Sequence, residues 1–235
     1  MIKFIIMGQP RGGSTAMRTA VASHSQVYCE HEILHHRLEA RQPNSGAKGY
    51  SELNYGEAQC LLEKLMASGQ HKDCVGFHYN FEDNNKHNDL VSSWADKIVV
   101  VDRKNQYDRW KSFYFAVVYN QWHDWIGQDH NPNKSQPPEK ITLSQAEINK
   151  AVEFVKKNKK TRQCMLDWAQ GGCFIDYESL CQNPIEELKS VLDYLGLPQE
   201  DIAPKTKRFS PRFFANESKV QQAIAFSSLD DLPVT

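Results

Sequence analysis

The chain has 235 residues, enough for one α/β domain with a sizeable core. Its 28 lysines and arginines against 29 acidic residues leave a formal charge of −1, which excludes the basic surface of a nucleic-acid binder but not a local pocket for a small anion. Apolar residues make up 40% and charged residues 24%, which excludes wholesale disorder, and no apolar run approaches the roughly 20 residues that cross a bilayer.

Residues 2–7 (IKFIIM) form an apolar run ending in Gly8-Gln9-Pro10, the pattern of a buried strand entering a turn. The run is too short for a signal peptide and lacks a small-residue cleavage site, so it reads as the first strand of the fold. Ser14 to Ser23 reads as a helix that Ser14 or Thr15 caps. Residues 26–29 (QVYC) suit a second strand, Pro43 to Tyr55 a polar loop, and Glu57 to Ala67 a helix with apolar spacing. Residues 74–79 (CVGFHY) suit a third strand. Lys97 to Asp102 (KIVVVD) is the continuous β-branched run of a strand covered on both faces.

A long helix is predicted from about Asn105 to Trp125, then a polar, Pro-rich surface loop over 128–140. Ile141 to Trp168 reads as a helix, with Ser144 and Glu147 as its capping box. Cys173 to Asp176 is a short strand, and Pro184 to Leu195 an amphipathic helix stopped by Gly196. The tail after Lys205 has little periodicity. Strands alternating with helices predict an α/β domain over residues 1–235, in three layers, with a central parallel sheet of about four to five strands and helices on both faces. The six cysteines show no CxxC pairing, and without a secretory signal they read as reduced thiols of a cytoplasmic protein.

The first chemical motif is the turn after the opening strand. Gly8 and Gly13 have the spacing of the phosphate loop G-x-x-x-x-G-K-[ST], but Ser14 stands where the lysine belongs. Glycines let the backbone wrap an anion, and the free N–H groups of the helix start point at it. Arg11 supplies a cation from within the loop. The same glycines also suit a plain strand–helix turn. With this loop the fold is P-loop-like.

The segment Pro10-Arg11-Gly12-Gly13-Ser14-Thr15 resembles the 5′-phosphosulfate loop, P-[KR]-[SG]-G-[ST]-[ST], of the sulfotransferases that use 3′-phosphoadenosine 5′-phosphosulfate (PAPS). The resemblance implies that Arg11 meets the sulfuryl group and leaving oxygen, while Gly12, Gly13, Ser14 and Thr15 hold the 5′-phosphate. After KIVVVD, Arg103 and Ser112 are nine residues apart and resemble that family's 3′-phosphate pair, most like the bacterial carbohydrate sulfotransferases. An arginine at the carboxyl end of a parallel strand is also where open α/β sheets bind ligands. Further on, CFIDYESL followed by a Pro-started helix and LGLP resembles the family's later scaffold. There Tyr177 and Glu178 read as core and capping residues or as nucleotide contacts. The tail KTKRFSPRFFANES resembles the segment over 205–235 that closes on the nucleotide. That implies 3′-phosphate roles for Lys207 and Arg208, against the alternative of a solvated basic run.

Residues 31–35 read His-Glu-Ile-Leu-His. On a helix, His31 and His35 would share a face and hold zinc with Glu32 as base, although no third ligand is singled out. Within the sulfotransferase resemblance the same Glu32 is the first choice for the base that takes the acceptor's proton. Glu30 and His78 are rivals, and His78 also reads as a core histidine. A second group, His123, Asp124, Asp129 and His130, reads as polar loop. Tyr107, Trp110, Tyr114, Trp122 and Trp125 read as core at helical spacing, or as faces for stacking on a sugar.

The resemblance implies a sulfotransferase that moves a sulfuryl group from PAPS to an acceptor hydroxyl by in-line displacement. PAPS is its co-substrate, no metal is expected, and the acceptor is a carbohydrate, lipid or small molecule, with no nucleic-acid partner. The alternatives are a P-loop-like nucleotide kinase, which needs a lysine at position 14 and magnesium, a non-catalytic nucleotide-binding module, and a zinc hydrolase through His31, Glu32 and His35.

Overall fold

A computed structural model of the chain describes residues 1–34, 53–83, 85–119, 140–203 and 213–227. Among them, the strands β1 (Ile2–Gly8), β2 (Val27–Glu30), β3 (Cys74–Asn80), β4 (Lys97–Asp102) and β6 (Cys173–Asp176) form one sheet in the order β2-β3-β1-β4-β6. Every pairing in it is parallel. The helices are α1 (Ser14–Val21), α2 (Tyr55–Ser68), α3 (Asn88–Trp94), α4 (Gln106–Val118), α5 (Gln145–Trp168), α6 (Tyr177–Gln182), α7 (Pro184–Leu195) and α8 (Glu217–Ser227). A short parallel pair, β5 (Lys140–Ile141) with β7 (Phe213–Phe214), stands apart from the main sheet. No helix among the described residues is long and apolar enough to cross a membrane.

The central strands are mostly apolar because both faces are covered. In β1, Phe4 and Ile6 pack with Met17 and Val21 of α1 and Val191 and Leu195 of α7. Ile5 and Met7 face the other way, onto Leu62 and Leu65 of α2, Val91 of α3 and Met165 of α5. A third cluster joins Trp110 and Phe115 of α4, Ile148 and Val155 of α5, Phe214 of β7 and Val220 of α8. The expected three-layer α/β architecture is therefore present.

Several local expectations differ. The helix predicted from Ile141 starts at Gln145, because Ser144 and Glu147 cap it there and Ile141 pairs with Phe214 instead. Residues 217–227 of the weakly periodic tail form α8, whose Val220 is buried against α4 and α5. Helices α3 and α6 were also unmarked in the sequence, being too short for a periodic signal. The described part of the helix predicted to reach Trp125 is α4, and residues 120–139, which hold the Pro-rich loop, lie outside the described residues.

Strand order places the site. From β1 the chain crosses toward β2 on one side of the sheet, and from β4 it crosses toward β6 on the other. β1 and β4 are neighbours, with Gly8 paired to Val101, so the loops leaving their carboxyl ends face each other at the switch point.

Candidate active site

The turn after β1 is tight. The Gly12 N–H donates to the Gln9 carbonyl at 2.8 Å. Arg11 has φ 66°, the left-handed region that a non-glycine residue occupies at a cost, and Gly13 has φ 99°. A Cβ on Gly13 would lie 2.1 Å from the Tyr177 ring, so both backbone angle and space demand glycine there. Gly13 is the N-cap of α1 and makes no side-chain cap. This corrects the expectation that Ser14 or Thr15 caps the helix: both are already inside it, and the Ser14 hydroxyl turns inward to bond Nε2 of His78 at 2.7 Å. The Ala16 N–H donates to the Gly13 carbonyl at 3.0 Å, so it is the first two N–H groups of α1, those of Ser14 and Thr15, that helix geometry leaves without an intrahelical acceptor, the arrangement that takes anions.

Three guanidinium groups surround this loop. Arg11 Nε donates to Ser112 Oγ at 3.0 Å, and the Arg11 carbonyl accepts from Arg103 Nη1 at 3.3 Å. Arg103 and Ser112, two of the residues expected at the 3′-phosphate, therefore touch Arg11, although Ser112 lies 101 residues away in sequence. The Arg103 guanidinium sits over the Tyr177 ring at 4.7 Å, and among the described residues its buried Nε has no hydrogen-bond partner. The Glu178 carboxylate accepts from the N–H groups of Lys104 at 3.3 Å and Asn105 at 3.1 Å, fixing the turn that carries Arg103. Asp176 caps α6 and pairs with Lys104. Burial pushes the Asp176 carboxyl up, but the Lys104 ammonium and the Ser179 N–H outweigh it and hold the group below its ordinary value.

The third guanidinium, Arg109, carries a role that the sequence reading did not assign. It is 1% exposed. Its Nε donates to the Pro10 carbonyl at 2.9 Å, Nη1 to Gln9 Oε1 at 2.6 Å and to Gln106 Oε1 at 2.9 Å, and Nη2 to Asn158 Oδ1 at 2.8 Å. All four acceptors are neutral. Burial first, and then the Arg103 charge, push its ionisation below the ordinary arginine value. Arg109 thus fixes the turn from inside and adds positive potential beneath it. The signal was present as an arginine on the buried stripe of α4 beside Gln106 and Trp110.

On the opposite flank of the loop a second constellation forms. His78 is 2% exposed, and its Nδ1 lies 3.4 Å from Glu32 Oε1. Ser14, His78 and Glu32 therefore form a chain of contacts from the turn after β1 to a pocket lined by Glu32, Leu34, His78, Tyr79, Asn80, Glu82 and Asn85. Glu30 goes elsewhere: it accepts from the Tyr28 hydroxyl, and Tyr28 packs on the α2 side of the sheet. Residues 31–34 form a bend and turn, so the described part of the H-E-x-x-H segment lacks the helix on which zinc spacing depends. His35, His36, Lys207, Arg208, Trp122, Trp125 and the group from His123 to His130 lie outside the described residues. Tyr107 and Trp110 are buried in the third cluster, which supports the core reading and removes them as sugar-stacking faces.

No protein-family model matches the chain. No curated protein matches it either. Among solved structures it is similar to a sulfotransferase from Alicyclobacillus acidocaldarius, at 15% identity and a TM-score of 0.60, over 98% of this chain and 92% of that one. It is also similar to the mouse sulfotransferase SULT7A1 complexed with PAP, at 14% identity and a TM-score of 0.45, over 100% of this chain and 68% of that one. A sulfotransferase domain from the curacin biosynthetic pathway matches at 18% identity and a TM-score of 0.47, over 85% and 75% of the two chains. The first likeness shows that this chain has the fold of that sulfotransferase.

Proposed function

We propose that this protein is a PAPS-dependent sulfotransferase acting on an acceptor hydroxyl. The observation that carries the reading is the meeting of Arg103 and Ser112 with Arg11 at the Gly12-Gly13 turn. It makes two anion grips, one from each of the neighbouring strands β1 and β4, side by side at the switch point, which suits a doubly phosphorylated adenosine carrier.

In this reading the first-turn N–H groups of α1, with the residues from Gly12 to Thr15, hold the 5′-phosphate, and Arg103 and Ser112 hold the 3′-phosphate. The acceptor oxygen attacks sulfur in line as the S–O bond to the 5′-phosphate breaks. Arg11 offsets the charge growing on that leaving oxygen, the preorganised kind of stabilisation that is often worth several kcal/mol. Glu32, at the mouth of the pocket, takes the acceptor's proton. His78 orients the Glu32 carboxylate and ties it, through Ser14, to the loop that holds the donor. The pocket's lining joins the polar Glu32, Asn80, Glu82 and Asn85 to Leu34 and Tyr79, which suits an acceptor that carries hydroxyls on a carbon frame, such as a carbohydrate. Lys207 and Arg208 are further proposed contacts to the 3′-phosphate.

The test is calorimetric titration with 3′-phosphoadenosine 5′-phosphate (PAP) against AMP. Tight PAP binding with AMP weaker by about a hundredfold, the loss of one charge-assisted anion grip, is expected. Equal affinity for the two would overturn the reading.

A further inference from the structure

His31 of the His-Glu-Ile-Leu-His segment has no part in the function above, and the fold gives it and Glu32 a different third partner. β2 and β3 run parallel, with Glu30 paired to Phe77. Continuing that register brings the residue after Glu30 beside the residue after Phe77. His31 and His78 do meet there, with ring centroids 5.7 Å apart and planes at 71°. One donor atom from each of His31, Glu32 and His78 lies within 4.8 Å of the other two.

One spacing within the cluster is that of a metal site. Ligand atoms around a tetrahedral zinc ion, at about 2.0–2.2 Å from it, lie about 3.3 Å from one another. The gap between His78 Nδ1 and Glu32 Oε1 is 3.4 Å. The contact of His78 Nε2 with Ser14 Oγ aims the other ring nitrogen, Nδ1, at the Glu32 side, and in the tautomer that carries its proton on Nε2 this Nδ1 is a donor atom for a cation. A ligating histidine whose other nitrogen is held by a neighbouring group is the usual outer arrangement of a metal site. Two imidazoles and one carboxylate are a donor set for zinc and its neighbours, not for calcium or magnesium, which take oxygen.

We infer that His31, Glu32 and His78 form a binding site for a zinc-class divalent ion, open at the fourth position toward the pocket. The site itself follows from geometry alone. Its consequence, that a bound ion takes the Glu32 carboxylate away from the acceptor proton and stops turnover, rests on the function proposed above.

Cobalt(II) is the probe, because its visible absorption reports coordination by the protein. Titrated into the tag-free full-length protein, it should give a ligand-field band saturating at one equivalent, which zinc then bleaches. His31→Ala should weaken cobalt binding at least about tenfold and lose the band, while circular dichroism shows the fold intact. His31→Gln, closer in size, serves if the alanine variant unfolds. No band in the wild type, or an undiminished band in a folded His31 variant, overturns the inference. In the transfer assay, one equivalent of zinc should inhibit the wild type but not His31→Ala, whose metal-free turnover stays within about twofold of wild type because it removes no reacting group. A cobalt site of this behaviour in a protein that prefers PAP no more than AMP would sink the catalytic reading and uphold the metal site.

Discussion

Arg11 combines two features that separate variants can pull apart. Its guanidinium sits at the loop, and its backbone is held at φ 66°. Arg11→Ala keeps the strained backbone and loses the charge, so turnover should fall about 10²–10³-fold while PAP affinity changes less than tenfold. Arg11→Gly loses the same charge but relieves roughly 1 kcal/mol of left-handed strain, so it should be as inactive yet melt no lower than the alanine variant. An unchanged turnover number in either variant would contradict the role. Gly13 is the converse case: Gly13→Ala meets both the Tyr177 ring and an unfavourable φ. It should cost about 1–3 kcal/mol in denaturant unfolding and abolish detectable PAP binding. Adding Tyr177→Ala removes only the collision, so it should restore part of the stability and no more.

At the level of elements, α5 shows how a short local signal sets a boundary. The Ser144 hydroxyl accepts the Glu147 N–H, and the Glu147 carboxylate accepts the Ser144 N–H at 2.7 Å. Glu147 also accepts from the Tyr114 hydroxyl at 2.9 Å, so the cap couples α5 to α4. The backbone N–H and then the hydroxyl of Ser144 hold the Glu147 carboxyl below its ordinary value of 4.5. A carboxyl depressed in the folded state contributes stability that is complete above about pH 4.5 and lost as the pH falls through its folded value. Glu147→Gln should therefore lower stability by about 1 kcal/mol at pH 7, and the difference from wild type should shrink as the pH falls below about 4.5. Thermal melts of both proteins across that range check it, and a penalty independent of pH would place the cap's worth elsewhere.

Across the whole molecule, Arg109 is the point where the loop after β1, the start of α4 and the middle of α5 are joined. Its four acceptors come from residues 9, 10, 106 and 158. Replacing a buried cation that makes four hydrogen bonds by Leu strands those acceptors, at a cost of about 3–5 kcal/mol by denaturant unfolding. The larger consequence is for ligand linkage. PAP at a hundred times its Kd should stabilise the wild type by about 2.7 kcal/mol. Arg109→Leu should lose most of that gain although Arg109 faces the underside of the loop, because the turn that presents Arg11 is no longer held. Full retention of PAP stabilisation in a folded Arg109→Leu protein would show that the loop holds its own shape.

What the amino-acid sequence determined by itself is what neighbouring residues encode together. The apolar runs IKFIIM and KIVVVD, the Gly-rich turn between β1 and α1, the Ser144–Glu147 cap and the Gly196 stop each lie within one short window. They carry the α/β class, most of the strands and the glycine turn at the end of β1. Tertiary structure decided what depends on strand order and on side chains meeting across distance. Ser14 meets His78 across 64 residues and Arg109 meets Gln9 across 100, so no local pattern could announce either contact. The same holds for His31: its spacing in sequence pointed to His35, but the parallel register of β2 and β3 set it against His78. Helices α3 and α6 and the β5–β7 pair were likewise illegible, because elements this short draw their stability from the surfaces they pack on and not from their own periodicity.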